Sequence, residues 1–285
     1  RAYPSLNLKI NLNAALTEAD VVLPGLRFDD IDFTGQPDVW RVFDMVNRVE
    51  HAAFFSHPSF LDYVHLYKQN YATIVKACRI DIKSDFYETV TPKAPLDVSI
   101  RLCHVGTSSF MTLGGIACGG SMSPHVTLQN THTLIHRKEN NRVEPLPEWW
   151  TNRFKVQPEN LIKPTNVIQG TKPQETFQHV FGVPLGDTDS TQMTRCASYL
   201  RYFVENASVA SKLGFYKLGT NFHDFHIKQM SLLYIAPSYW GDSLMSETWE
   251  DKDDELSLHC MVSSHDHRPV WYAKMTLFSE VFGLK

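Results

Sequence analysis

The same order of hydrophobic periodicities occurs twice along the 285-residue chain, and this duplication limits the fold more than any other feature. The first occurrence opens with an apolar segment at Leu23–Phe28 and an acidic turn, Asp29 to Gly35. A helix is expected from Pro37, a residue suited to a first turn, to Phe55, with Pro58 beyond its end. Val39, Val42, Phe43, Val46, Val49 and Ala53 recur there at three- and four-residue steps and form one apolar stripe. Strands are expected near 74–82, 96–105, 108–117 and 125–136. In the second of these, Leu96, Val98, Ile100 and Leu102 alternate with Asp97, Ser99, Arg101 and Cys103, as a half-buried strand does. A Pro-rich polar stretch from Glu144 to Lys172 follows. The order then repeats: a strand near 176–183, a turn Gly186 to Asp189, a helix over 191–213 striped with Cys196, Tyr199, Leu200, Phe203, Ala207 and Ala210, and four strands within 226–278. Repeats over 1–150 and 176–285, with a linker at 151–175, are therefore expected. An apolar helix followed by a meander is best buried when an antiparallel sheet curls around it.

Composition narrows the function classes. Hydrophobic residues make up 43% and charged residues 20%, which excludes a wholly disordered chain. The net charge of −4 carries no basic excess, so nucleic acid is not the expected partner. No apolar run approaches the ~18–20 residues of a membrane span. Aromatic residues at 12% suffice to line an apolar pocket for a hydrophobic small molecule as well as to fill cores. The five cysteines include no C-x-x-C pair, which argues against a zinc ribbon or redox motif, and the sequence assigns no pairing among them. The opening Arg1-Ala2-Tyr3 fits a signal-peptide cut and equally an expression boundary, and secretion is the expectation carried forward. Asn206-Ala207-Ser208 is a sequon inside an apolar helix, a poor place for a glycan.

Most local constellations have plain readings. His223/His226 and His265/His267 lack a visible third ligand, so no metal site is expected. His51 reads as a base on the core side of the helix or as a hydrogen-bonded, partly buried histidine. Gly114-Gly115 and Gly119-Gly120 read as strand bends. No nucleophile elbow, H-E-x-x-H pair or phosphate loop is present.

The turn–helix passages carry the most information. The second reads Asp187-Thr188-Asp189, then Gln192, then Tyr199-Leu200-Arg201-Tyr202-Phe203-Val204-Glu205, and is followed later by Pro237-Ser238-Tyr239-Trp240-Gly241-Asp242. The first offers Asp30-Ile31-Asp32-Phe33-Thr34-Gly35. These passages resemble the hotdog-fold acyl thioesterases, above all the tandem-hotdog acyl carrier protein thioesterases. There an Asp pair in the turn is followed by His and Asn and by a helix that begins with an aromatic-rich run closing on Glu. The likeness runs from about residue 22 to the end. It implies an α+β double hotdog: two antiparallel sheets, each wrapped around a long central helix, paired as an intrachain pseudo-dimer. The chain departs from the pattern where chemistry is done. Gln36 and Met193 stand in place of the histidine, and Asp38 and Arg195 in place of the asparagine. Neither Gln nor Met titrates near neutral pH, so the His-based hydrolytic route is missing. A second branch of the family uses an acid at the helix N-terminus. Asp32 and Asp189 fit that position, where they also read as caps and turn formers. Glu205 reads as a polar group facing the pocket or as a partner of Arg201.

Taken whole, the chain also looks, more loosely and without a motif, like the secreted luciferases of syllid fireworms. That resemblance implies oxygen-dependent oxidation of a small heteroaromatic substrate, with molecular oxygen as co-substrate and no other cofactor assigned. The expected catalytic residues are then Asp32, Asp189 and Glu205, with Gln36, Asp38 and Tyr199 binding substrate. Thioester hydrolysis through Asp32 or Asp189 is the alternative, and a non-catalytic carrier of hydrophobic ligands is the third reading.

Overall fold

The protein is described from a computed structural model covering residues 9–91, 94–156, 172–189, 192–219 and 221–279. The chain forms two compact units. Among the described residues the first comprises 9–38, 42–76 and 85–156, and the second 39–41, 77–84 and 172–279.

In chain order the elements of the first half are β1 (Ile10–Leu12), β2 (Glu18–Leu23), α1 (Val39–Phe54), α2 (Tyr63–Lys68), β3 (Tyr71–Ile82), α3 (Phe86–Thr89), β4 (Leu96–Val105), β5 (Ser109–Cys118), β6 (Val126–His136), β7 (Arg142–Val143) and α4 (Glu148–Arg153). Those of the second half are β8 (Phe177–Gly182), α5 (Cys196–Lys212), β9 (Ile227–Tyr234), β10 (Ser243–Glu250), β11 (Ser257–Ser264) and β12 (Pro269–Leu277). Both long helices and the four strands after each of them fall where the periodicity puts them.

The opening strand lies earlier than expected. Glu18-Ala19-Asp20-Val21 alternates, burying Ala19 and Val21, and Pro24-Gly25 ends the strand at Leu23, the first residue of the expected segment. The expected linker is not all linker. Its first residues complete α4, whose Trp150 is fully buried and donates from Nε1 to the Leu61 carbonyl at 2.9 Å. Residues 157–171 of that linker lie outside the described residues.

The strand order in the first unit runs β1-β2-β4-β5-β6-β3, with β7 beside β6. In the second it runs from Ala77–Asp81 of β3 through β9, β12, β11 and β10 to β8. Every pairing whose register is described is antiparallel. Because β3 takes part in both ladders, the pairings form one antiparallel order of twelve strands where two separate sheets were expected. The two turn–helix passages are built alike. The amide of Asp38 donates to the Asp30 carbonyl, and that of Arg195 to the Asp187 carbonyl, each at 2.9 Å. The same backbone hydrogen bond thus closes both turns.

Gly114 is a contact residue, not a strand bend. A Cβ built on it would meet Val46 Cγ1 of α1 at 2.7 Å, so the absence of a side chain is what lets the helix lie on β5. Gly114→Ala is expected to cost about 1–3 kcal/mol through overpacking, seen as a lower thermal midpoint. An unchanged midpoint would show that the helix is not held so close.

Candidate active site

The sheet-facing side of α1 is apolar except at one place. Val42, Phe43, Val46, Val49 and Ala53 are buried as their spacing requires, and so is Glu50, at 4% exposure. Burying a carboxylate is costly unless its oxygens are met by donors, and β5 and β6 supply them. Thr112 donates from its hydroxyl to Glu50 Oε1. His132 Nε2 lies 3.1 Å from the same oxygen and 3.2 Å from Thr112 Oγ1. Asn130 donates from Nδ2 to Glu50 Oε2 and to Asn47 Oδ1, each at 3.1 Å. Burial by itself would raise the Glu50 carboxyl. The adjacent His132 and the hydrogen bonds from His132, Thr112 and Asn130 outweigh it and hold the group below its ordinary range.

The register of the sheet makes this arrangement. Thr112 of β5 is paired with Asn130 of β6, and Phe110 with His132, so four inward-facing side chains meet one turn of helix. The imidazole is held by rings. Phe110 stacks on it at 5.0 Å, and Phe54 meets it edge-on at 5.6 Å. Trp150 backs Phe110 at 5.2 Å. Asn130 Oδ1 is buried and has no hydrogen-bond partner among the described residues. The result is a buried carboxylate within hydrogen-bond distance of an imidazole, walled by aromatic rings.

The residues expected from the sequence lie elsewhere. Asp32 Oδ1 accepts from the amides of Thr34 at 2.9 Å and Gln36 at 3.1 Å and from the Thr34 hydroxyl at 2.6 Å, which closes the turn before α1. Asp189 is exposed and its Oδ1 accepts from the Met193 amide at 3.3 Å. The deeply buried member of each pair is the other one. Asp30 is bound by the amide and guanidinium of Arg27, and Asp187 by Arg201 and the Tyr202 hydroxyl. Gln36 is buried with Oε1 unpartnered among the described residues, and Asp38 caps α1 without a side-chain cap bond. Tyr199 is buried, stacks on Trp271 at 5.7 Å and bonds Ser238 Oγ at 2.7 Å, while burial pushes its hydroxyl up to about 12. The Glu205 carboxylate is 64% exposed, with Oε1 3.5 Å from Arg201 Nε, so it takes the Arg201-partner arrangement and does not face inward. His51 is likewise exposed, against Phe55 at 4.9 Å. The inward residue on that turn is its neighbour, Glu50. Asn206 is buried with Nδ2 donating to Ser246, a position that leaves no room for a glycan. Among the described residues no group of three metal-ligating side chains occurs, and no helix is long and apolar enough to cross a membrane.

A second polar cluster lies on strands β10 to β12. His259 is fully buried and stacked on Trp249 at 5.5 Å, with Nε2 2.7 Å from Asp251 Oδ2 and Nδ1 2.9 Å from the Tyr272 hydroxyl. Burial lowers the His259 ring below its ordinary value despite Asp251. The unfolded chain therefore takes up a proton near pH 6.5 that the folded chain refuses, and stability falls as the pH drops below that point. Thermal midpoints should decline from pH 7 to pH 5, with a shallower decline in His259→Gln. Equal slopes in the two proteins would exclude His259 as the cause.

No protein-family model and no curated protein sequence matches the chain. Solved structures do match. An acyl-ACP thioesterase from Bacteroides thetaiotaomicron is similar over 92% of this chain and 98% of its own, at 14% identity and a TM-score of 0.72. The 12:0-ACP thioesterase from Umbellularia californica is similar over 94% and 99%, at 13% identity and a TM-score of 0.72. Neither lends support to the luciferase resemblance. At such identities the likeness speaks for architecture alone, and the chain has the fold of these hotdog acyl-ACP thioesterases.

Proposed function

We propose that the protein hydrolyses acyl thioesters, with Glu50 as the general base. The observation that carries this reading is the buried Glu50 carboxylate bonded by Thr112 and Asn130 and 3.1 Å from His132 Nε2, set in a fold shared with acyl-ACP thioesterases. In the proposed step a water oxygen attacks the thioester carbonyl while Glu50 takes its proton. The carbon–sulfur bond then breaks, and the Glu50–His132 pair returns the proton to the leaving thiolate. A fatty acid and a free thiol are the products. The same reading includes a hydrophobic acyl substrate, the curling of each repeat's strands around its helix and the pairing of the repeats within one chain. The fold likeness favours hydrolysis over the oxidation of a heteroaromatic substrate.

Thiol release from acyl-CoA and from acyl-ACP tests the proposal. Glu50→Gln should reduce the rate roughly 10²–10⁴-fold with the circular dichroism spectrum retained. Asp32→Asn and Asp189→Asn, which alter bonds of the turns before the helices, should change it far less. Full activity in Glu50→Gln, or loss confined to an Asp32 or Asp189 variant, would move the chemistry to the turns. No thiol release from either substrate would refute hydrolysis.

A further inference from the structure

The two oxygens of the Glu50 carboxylate are unequally met. Oε1 accepts from the Thr112 hydroxyl and lies 3.1 Å from His132 Nε2, so β5 and β6 both close on it. Oε2 accepts from Asn130 Nδ2 at 3.1 Å and meets no second donor among the described residues, although a carboxylate oxygen can accept two. The same contacts fix the Asn130 amide. Its Nδ2 also donates to Asn47 Oδ1 at 3.1 Å, and turning the group over would set its oxygen against the carboxylate, acceptor on acceptor. Asn130 Oδ1 is therefore left over, buried on a residue 1% exposed and without a hydrogen-bond partner among the described residues.

An acceptor left unmet at such depth is costly and rare. Here an unmet one and a half-met one lie side by side, since Nδ2 and Oδ1 share one amide carbon and Nδ2 bonds Oε2. The rings of Phe54 and Phe110 beside the imidazole carry no donor, and Thr112 and His132 are held on Oε1. Water is the smallest group that brings two donors on one atom, and two O–H···O bonds of about 2.7–2.8 Å reach across a single amide group. A water held by both hydrogens keeps its lone pairs free. We propose that Asn130 is a positioning residue: its Oδ1 and Glu50 Oε2 accept the two hydrogens of one water and hold it as the nucleophile. The proposal rests on the hydrolytic reading for the reaction, and deepens it by naming what holds the water and which carboxylate oxygen takes its proton. As the water oxygen bonds to the thioester carbonyl carbon, its O–H bond toward Oε2 breaks and Glu50 keeps the proton. The hydrogen on Asn130 stays with the new carboxyl group. The carbon–sulfur bond then breaks, and the proton on Glu50 passes to the thiolate.

Acyl-CoA turnover by the full chain, with hydroxylamine as a second nucleophile, tests the role. Asn130→Leu should lower kcat roughly ten- to a hundredfold while KM moves little, because the amide holds water and not the acyl chain. Hydroxylamine attack, with its uncatalysed reaction subtracted, should lose less, so the ratio of hydroxamate to fatty acid rises in the variant. Gly114→Ala, a packing lesion, should leave that ratio unchanged. Asn130→Ser, which restores a hydroxyl and leaves room for water, should recover part of kcat. A loss shared equally by both nucleophiles in Asn130→Leu would mark Asn130 as structural and overturn the proposal with hydrolysis intact. Absence of thiol release from the unaltered chain sinks the hydrolytic reading itself. If Asn130→Leu fails to fold, a crystal structure of the unaltered chain decides. One ordered water within hydrogen-bond distance of both oxygens upholds the proposal, and none there overturns it.

Discussion

A carboxylate placed on the inward side of a helix constrains everything around it. Glu50 is acceptable there because Thr112, Asn130 and His132 converge on it, and they converge only in one register of β5 against β6 and one rotation of α1. Sliding β6 by one residue would turn Asn130 and His132 to the opposite face and leave the charge unmet. Rotating the helix by one residue would bring in His51 or Val49. The charge therefore selects one packing of helix on sheet, a specificity that apolar contacts alone enforce less strictly. The close approach allowed by Gly114 serves the same packing, since Val46 and Glu50 lie one turn apart on the same stripe.

The second unit solves the helix–sheet contact without a buried charge. Tyr199 and Phe203 of α5 lie against Trp271 of β12. The polar contact is neutral, from Asn206 to Ser246 of β10. The two helices thus meet different interiors, a carboxylate–imidazole pair at α1 and packed rings at α5. What α1 and α5 have in common is the turn before the helix. In each, a buried aspartate is tied to an arginine and a carbonyl–amide bond spans eight residues. That shared part belongs to architecture. The differing interiors are where the functions have room to diverge.

Much of the fold was legible because period and punctuation agree. The stripe from Val39 to Ala53 and the alternation in Leu96–Leu102 describe buried faces that the structure contains. The continuous strand order was not legible, since nothing local in β3 says that it lies between β6 and β9. The candidate site was only half hidden. Glu50 falls four residues after Val46 on the apolar stripe, and Asn130 and His132 fall on the inward beat set by Val126, Leu128 and Leu134. Polar residues on those beats were the available signal. The Asp pairs drew attention because they match a familiar pattern, yet Asp32 and Asp189 are the outer members of their turns.

The sharing of β3 bears on how this chain can be divided. Residues 77–84 and the first turn of α1 belong to the second unit although they lie far upstream of the rest of it. A fragment beginning at residue 176 would lack them. Strand β9 would lose the partner that pairs Leu233 with Ala77 and Gln229 with Asp81, and would present a bare strand edge to solvent. The two repeats are separable as patterns of letters but not by a single cut of the polypeptide.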